Sequence, residues 1–385
     1  MSADLTPFLD EAQLYWRDTV HRVLGAECRP DYIRDCDENK RLPRDVLDVM
    51  VREGWFAVTL PEEYGGIGGY PEMAALVEMT AYHSVALARF WNINVNMVGG
   101  AIAHFAAPEL KQRLLPDLAE GKVRFAFALS ENEAGSDAGA VRTKGEVGDG
   151  VVRINGTKMW ITAAQEADYI LTAVRTDPET DKHDGISLFL VPRTAPGVTV
   201  TPIDMLGGHA VRTCEVNLLD VEVPLDLMVG DLHGGWKQVM RVLAKERVSL
   251  AAMCTGAAQA AVDLAVDYVT QRQQFGRTIT AFQAVSHTIA DMQTRTDAAR
   301  MLAYRAARLL VSGHPCARES SQAKYFASDA YMQTAVDGVQ MMGANGYASE
   351  YAMQRHFREA KLFQIFGGTN EIQRGIVARE IWRER

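Results

Sequence analysis

A chain of 385 residues is longer than one hydrophobic core ordinarily serves, so two or three domains are expected. With 48% hydrophobic and 23% charged residues the composition is globular, and a net charge of −9 (40 basic against 49 acidic side chains) argues against a nucleic-acid partner, whose phosphates require concentrated Lys and Arg. Five scattered cysteines without a C-x-x-C, nine histidines without metal-ligand spacing and the lack of an apolar run of membrane-spanning length predict reduced thiols in the cytoplasm, no metal centre and no membrane span. The opening MSADLTPFLDEAQ has neither an apolar leader core nor an Arg-rich character, so no secretory or transit signal is expected.

In chain order, residues 1–120 read as an N-terminal helical domain. LPRDVLDVMVREGWF and LKQRLLPDLAEG carry apolar residues at helical spacing, and the Gly-rich loop LPEEYGGIGGY interrupts them. In WNINVNM, Asn92, Asn94 and Asn96 fit either a polar pocket wall or solvent-facing turns, and the second is the plainer expectation. Residues 121–232 change to β texture. VVRINGTKMWIT places Asn155-Gly156 between two β-like runs, which predicts a hairpin turn there. YILTAVRT, GISLFLVP, GVTVTPI and CEVNLLDVEVP then complete a central antiparallel β domain. From Trp236 helices return, and residues 233–385 read as a C-terminal four-helix-bundle domain. The predicted fold class is therefore α+β, multi-domain, in the order helix, sheet, helix.

Four stretches can carry chemistry. On the first long C-terminal helix the apolar stripe Val239, Leu243, Leu250, Met253 includes Glu246. A carboxylate there is costly unless paired or used, and burial would raise its pKa toward that of a general base. An ion pair with Arg241, Lys245 or Arg247 is the structural alternative. The loop ALSENEAGSD (128–137) offers hydroxyls and backbone N–H groups after a strand. In TKMWIT, Trp160 and Thr162 share one strand face and could hold the face and edge of a planar ring, although core packing is the plainer expectation for Trp160. RQQFGRT (272–278) sets two arginines around a Phe-Gly turn, suited to a pyrophosphate or simply to a solvated helix end. Finally, QIFGGTNEIQ (364–373) puts Gly367-Gly368 before Thr369 as a helix N-cap, which serves as an anion site or as a plain turn.

Together these stretches, with LPEEYGG, LLDVEVP and QMMGANGY, resemble the acyl-CoA dehydrogenase family over nearly the whole chain. The resemblance implies FAD at the junction of the β domain and the C-terminal helices. Phe127, Leu129 and Ser130 would lie along the flavin, with Trp160 and Thr162 flanking it. Arg272, Phe275, Gln340 and Gly343 would reach the FAD of a neighbouring subunit in a homotetramer, and Gln283, Thr369 and Glu371 would add FAD contacts. Ser136 and Arg247 would meet an acyl-CoA thioester, and an electron-transfer flavoprotein would be the redox partner. Many family members carry a Glu immediately before Gly-Thr as the base that removes the α-proton; here that position is Gly367. A smaller set, resembling isovaleryl-CoA and long-chain acyl-CoA dehydrogenases, places the base in a Glu-Arg pair on the long helix, as in Glu246-Arg247. The resemblance then implies that Glu246 is the base, that the Gly367 N–H donates to the thioester carbonyl, and that β-hydride leaves to flavin N5. It also admits an enoyl-CoA reductase like crotonobetainyl-CoA reductase, or a dehydrogenase of a carrier-protein-bound acyl group; a catalytically inactive structural relative fits the intact motifs poorly. Asn132-Glu133 replaces a usual Pro-Gly, Ala344 a common Gly, and Arg212 a small or acidic residue, which leaves the flavin loop and the substrate entrance open.

Overall fold

The computed structural model describes residues 5–6, 8–312 and 316–383; residues 1–4, part of the leader reading, lie outside that set. The described chain opens with helices α1 (Glu11–Glu27), α2 (Pro30–Glu38), α3 (Arg44–Arg52), α4 (Tyr70–His83), α5 (Val85–Trp91), α6 (Gly100–Phe105) and α7 (Pro108–Ala119). The start of α1 is fixed by a capping box: Asp10 Oδ1 accepts from the Gln13 N–H at 2.8 Å, and Gln13 Oε1 accepts from the Asp10 N–H at 3.2 Å. Between α5 and α6, residues Asn92–Gly99 form a π-helical turn, a widening that recurs at functional sites. Asn92, Asn94 and Asn96 on this turn are all buried, which corrects the solvent-facing expectation. Asn94 accounts for its burial by donating to Phe90 O at 2.9 Å and accepting from the Phe125 N–H at 2.6 Å.

Strands β1 (Phe125–Ala128), β2 (Lys144–Val147), β3 (Val151–Thr162), β4 (Tyr169–Arg175), β5 (Ile186–Pro192), β6 (Val198–Pro202) and β7 (Thr213–Pro224) form one sheet in the order β1-β4-β2-β3-β7-β6, with β5 also on β4. Most pairs are antiparallel, as expected, but β1 runs parallel to β4. β2 and β3 intervene in the chain, so β1 joins β4 by a crossover rather than a tight turn. The predicted hairpin at Asn155-Gly156 is also corrected. β3 runs straight through it and pairs with β7, with a register shift between Ile154 and Gly156. Gly156 sits at φ 154°, and a Cβ there would lie 2.6 Å from Thr143 Oγ1. Asn155 Oδ1 accepts from the Asp220 N–H at 2.8 Å. The Asn-Gly pair therefore builds a bulge, and the chain turns between β2 and β3 at Gly148–Gly150 instead.

The sheet leads into α8 (Gly235–Gln271), a short β8–β9 ribbon (Gln273–Gln274 and Arg277–Thr278), α9 (Gln283–Val311), α10 (Ala317–Met342), α11 (Ala344–Tyr347), α12 (Ala352–Phe363) and α13 (Asn370–Arg383). Helix α10 packs on α8, α9, α12 and α13, and α8 also packs on α4. The middle of α8 is on average apolar enough to cross a membrane, but 89% of that window is buried inside the fold, so it serves as a core helix. Glu78 on α4 accepts from Arg17 on α1 at 3.1 Å and from Arg300 at 2.9 Å and Tyr304 at 2.6 Å on α9. This buried cluster ties the N-terminal helices to the bundle.

Candidate active site

A cavity of about 500 Å³ opens where the sheet, the π-helical turn, α8 and the Gly367-Gly368 turn converge. The β-side wall holds Phe127, Leu129, Ser130, Trp160 and Thr162; Ser136 comes from the following loop, Glu246 and Arg247 from α8, and Gly367 from the C-terminal turn. These nine sequence-identified positions are thus brought together.

The β-side wall is pinned from behind. Lys158 is fully buried, and its Nζ donates to Leu129 O at 3.1 Å and to Glu131 Oε1 at 2.8 Å. Glu131 also accepts from the N–H groups of Arg142 at 2.8 Å and Thr143 at 2.9 Å. The Asn132-Glu133 segment is a closed turn, bracketed by reciprocal hydrogen bonds between Glu131 and Ala134 at 3.1 and 3.2 Å. A second irregularity, between Lys158 and Ile161, sets Trp160 at φ 65° and leaves its ring 50% exposed toward the cavity. The core-packing alternative for Trp160 does not apply.

Glu246 is 4% exposed, and its Oε2 has no hydrogen-bond partner among the described residues. Two of the three predicted ion-pair partners are otherwise engaged: Lys245 Nζ meets His104 Nε2 at 3.0 Å, and Arg241 stacks 5.6 Å from the Phe105 ring centre. Burial pushes the Glu246 carboxyl up to about 7, against the opposing pull of Arg247 and Lys324. Arg247 is itself buried, its Nε has no partner among the described residues, and burial holds its guanidinium below the usual range.

Gly367 stands beside this carboxyl. At φ 64°, a Cβ on Gly367 would point to within 3.6 Å of Glu246 Oε1 and would meet Leu250 Cδ1 at 2.4 Å. A side chain at position 367 and the Glu246 carboxyl therefore compete for one space. The turn is held through its carbonyls: Gln373 Nε2 donates to Gly367 O at 3.0 Å, and Lys324 Nζ to Gly368 O at 2.8 Å. The Gly367 N–H has no acceptor among the described residues. Thr369 caps α13 as predicted, accepting from the Ile372 N–H at 3.3 Å.

Other expected site residues lie outside the cavity. Arg272 ends α8, Gln283 begins α9, and Gln340 and Gly343 end α10; all are exposed, as is Phe275 at 91%. Asn345 Nδ2 bonds Tyr268 Oη at 3.1 Å, which sets the ends of α8 and α10 side by side at one end of the bundle. Thr369 and Glu371 adjoin the turn without lining the cavity, and Arg212 turns away to Asp204 at 3.3 Å, so it does not guard this entrance. Asn92, weighed as a pocket wall but expected at solvent, lines the inner wall; residues that sequence reasoning passed over are Arg89 beside it, Lys324 behind the turn, and His183, stacked 4.7 Å from Trp236 at the rim. The signal for Arg89 and Lys324 was a single cation within the otherwise apolar or small-residue runs VALARFW and AKYFAS.

Comparison with known proteins gives one consistent answer. Models of the acyl-CoA dehydrogenase N-terminal, middle and C-terminal domains match residues 10–122, 126–221 and 233–382. An acyl-CoA dehydrogenase of Bacillus subtilis is 38% identical over 96% of this chain and 97% of its own. A 3-(aryl)acrylate reductase of Clostridium sporogenes is 33% identical over 90% of this chain and 92% of its own. Among solved structures, butyryl-CoA dehydrogenase from Megasphaera elsdenii superposes with a TM-score of 0.93 at 31% identity, covering 100% of both chains.

Proposed function

The chain belongs to the acyl-CoA dehydrogenase family and is an FAD-dependent oxidoreductase, and on that premise we propose that it dehydrogenates an acyl thioester across its α,β bond, with Glu246 as the base. The observation that carries this reading is the buried, unpartnered Glu246 carboxyl beside the bare Gly367 turn in the cavity. The cavity suits FAD: the half-exposed Trp160 ring offers a stacking face, and Thr162 and Ser130 offer polar edges next to it. FAD, when bound, supplies the acceptor for the β-hydride. The protein's part is to hold the acyl group and move one proton. Glu246 Oε2 takes the α-proton, and the free Gly367 N–H donates to the thioester carbonyl, stabilising charge as it develops there. Lys324 and Gln373 fix that N–H by holding the turn's carbonyls. Ser136 and Arg247, which line the cavity, would meet the thioester.

The 3-(aryl)acrylate reductase relative favours a second reading, in which the same residues run in reverse and Glu246 delivers a proton to the α-carbon of an enoyl thioester. A carboxyl titrating at about 7 serves either direction. Arg272, Phe275, Gln340 and Gly343, exposed at one end of the bundle, are proposed to complete the FAD site of a neighbouring subunit in a homotetramer. A cytoplasmic location and an electron-transfer flavoprotein as redox partner complete the proposal. The test is anaerobic mixing of the purified yellow protein with saturated acyl-CoA and enoyl-CoA thioesters. Bleaching by saturated thioesters supports the dehydrogenase. No bleaching by any of them, with dithionite-reduced protein reoxidised by enoyl-CoA, supports the reductase.

A further inference from the structure

One buried cation of the cavity has no part in the proton and hydride steps. Arg89 on α5 is 3% exposed and lines the same cavity as Glu246. A guanidinium carries five N–H donors. Here it makes no hydrogen bond among the described residues, and Nη1 is buried without a partner. Its ion contact, Glu359 Oε2, lies 3.9 Å from Nη1, too long for a hydrogen bond. Glu359 Oε1 instead accepts from the Gly208 N–H at 3.1 Å. The surrounding cluster is cationic: three guanidiniums, Arg89, Arg355 and Arg358, face two carboxylates, Glu359 and Asp37.

The fold makes room for this guanidinium. A Cβ on Gly208 would fall 2.4 Å from Arg89 Nη1. The Arg89 Cζ lies 5.9 Å from the ring centre of Phe366, the residue before Gly367. Asn92, one turn along, lines the same wall; its Oδ1 accepts from Asn96 at 2.9 Å, and its Nδ2 has no acceptor among the described residues. A buried cation with empty donors is costly unless a ligand satisfies it. A purely aliphatic acyl chain would leave it unsatisfied.

We propose that Arg89 and Asn92 bind a carboxylate at the far end of the acyl group, so that the substrate is the monothioester of a dicarboxylic acid. This rests on the thioester reading above and adds to it the chemistry of the acyl tail. The test compares succinyl-CoA and glutaryl-CoA with their uncharged branched isosteres, 4-methylpentanoyl-CoA and 5-methylhexanoyl-CoA, by anaerobic flavin bleaching of the holoenzyme. In at least one pair the carboxylate-bearing member should lead by ~10²-fold or more in kcat/KM, as expected where a site's polar donors are otherwise left empty. Arg89→Met should abolish that preference, and Arg89→Lys should keep part of it. The double variant Arg89→Met/Glu359→Gln removes both buried charges at once, so it provides a folded test should Arg89→Met alone strand Glu359. Equal rates for charged and uncharged members in the wild-type enzyme, or a preference that survives Arg89→Met, would overturn the inference and leave the thioester reading standing. If no thioester bleaches or reoxidises the flavin, the thioester reading falls and the inference with it.

Discussion

As the proposed base, Glu246 combines two properties that pull apart. It must sit away from water to be basic, and it must ionise to act. With its carboxyl held at about 7 by burial, kcat/KM for α-proton removal should rise with pH and level off above that value, because the ionised form is the active one. The same shift bears on stability. Between the ordinary carboxyl value of 4.5 and about 7, the unfolded chain gives up its proton first, so the folded state loses stability as pH rises. At full ionisation the loss amounts to about 3 kcal/mol. Glu246→Gln should therefore melt at a higher temperature than wild type at pH 8, and the gap should close by pH 4. Scanning calorimetry at the two pH values checks this; a lower melting temperature for the variant at pH 8 would mean that the carboxylate is satisfied in the fold. Gly367 is the counterpart of this arrangement. Gly367→Glu meets Leu250 and an unfavourable φ of 64°, so moving the base into Glu246→Gln/Gly367→Glu should restore little activity until Leu250 is also shortened. Full activity in the double variant would show that the turn yields more easily than its packing implies.

Helix type and order were legible in the chain because apolar spacing is local. Features that bend elements were not. Asn155-Gly156 signals a hairpin by its dihedral freedom, but a bulge uses the same freedom, and only the pairing of β3 with β7 decides between them. Strand alternation set Trp160 and Thr162 on one face but left core packing the plainer reading of Trp160, because its ring reaches the cavity through an irregularity that alternation does not contain. Burial of Asn92, Asn94 and Asn96 depends on a π-helical turn whose partners lie on other elements, such as the Phe125 N–H on β1. The tie between elements is also non-local. Burial pushes the Glu78 carboxyl up, but Arg17 and Arg300 overcome this and hold it at about 2. Its contribution is present above the unfolded value of 4.5 and is lost as pH falls from there toward 2. Glu78→Ala leaves two guanidiniums buried without their acceptor and should cost about 3–5 kcal/mol, measured by chemical denaturation. A loss below about 1 kcal/mol would show that water replaces the carboxylate without penalty.

Across the whole molecule, the cavity gathers residues from Arg89 to Arg379, so its membership follows from the fold and not from any one motif. The motifs named residues of its β-side wall, Glu246 and the Gly367 turn; of the inner wall, Asn92 was weighed but left at solvent and Arg89 went unread, because a lone cation in an apolar run is only a weak sign of burial. A second group of motif residues remains at the exposed end of the bundle. If Arg272 serves a neighbouring subunit's cofactor, Arg272→Glu should lower FAD content and shift the sedimentation coefficient together. A variant with full FAD and unchanged assembly would remove Arg272 from that role. The central claim is that one buried carboxylate, Glu246, moves the α-proton. It is tested most directly by mixing Glu246→Gln holoenzyme anaerobically with a thioester that bleaches the wild type, while following ligand binding by the flavin spectrum. The account predicts normal FAD content, a ligand-induced spectral shift and bleaching slowed by at least ~10²-fold, the scale of a lost general base. Bleaching at a near wild-type rate would contradict it.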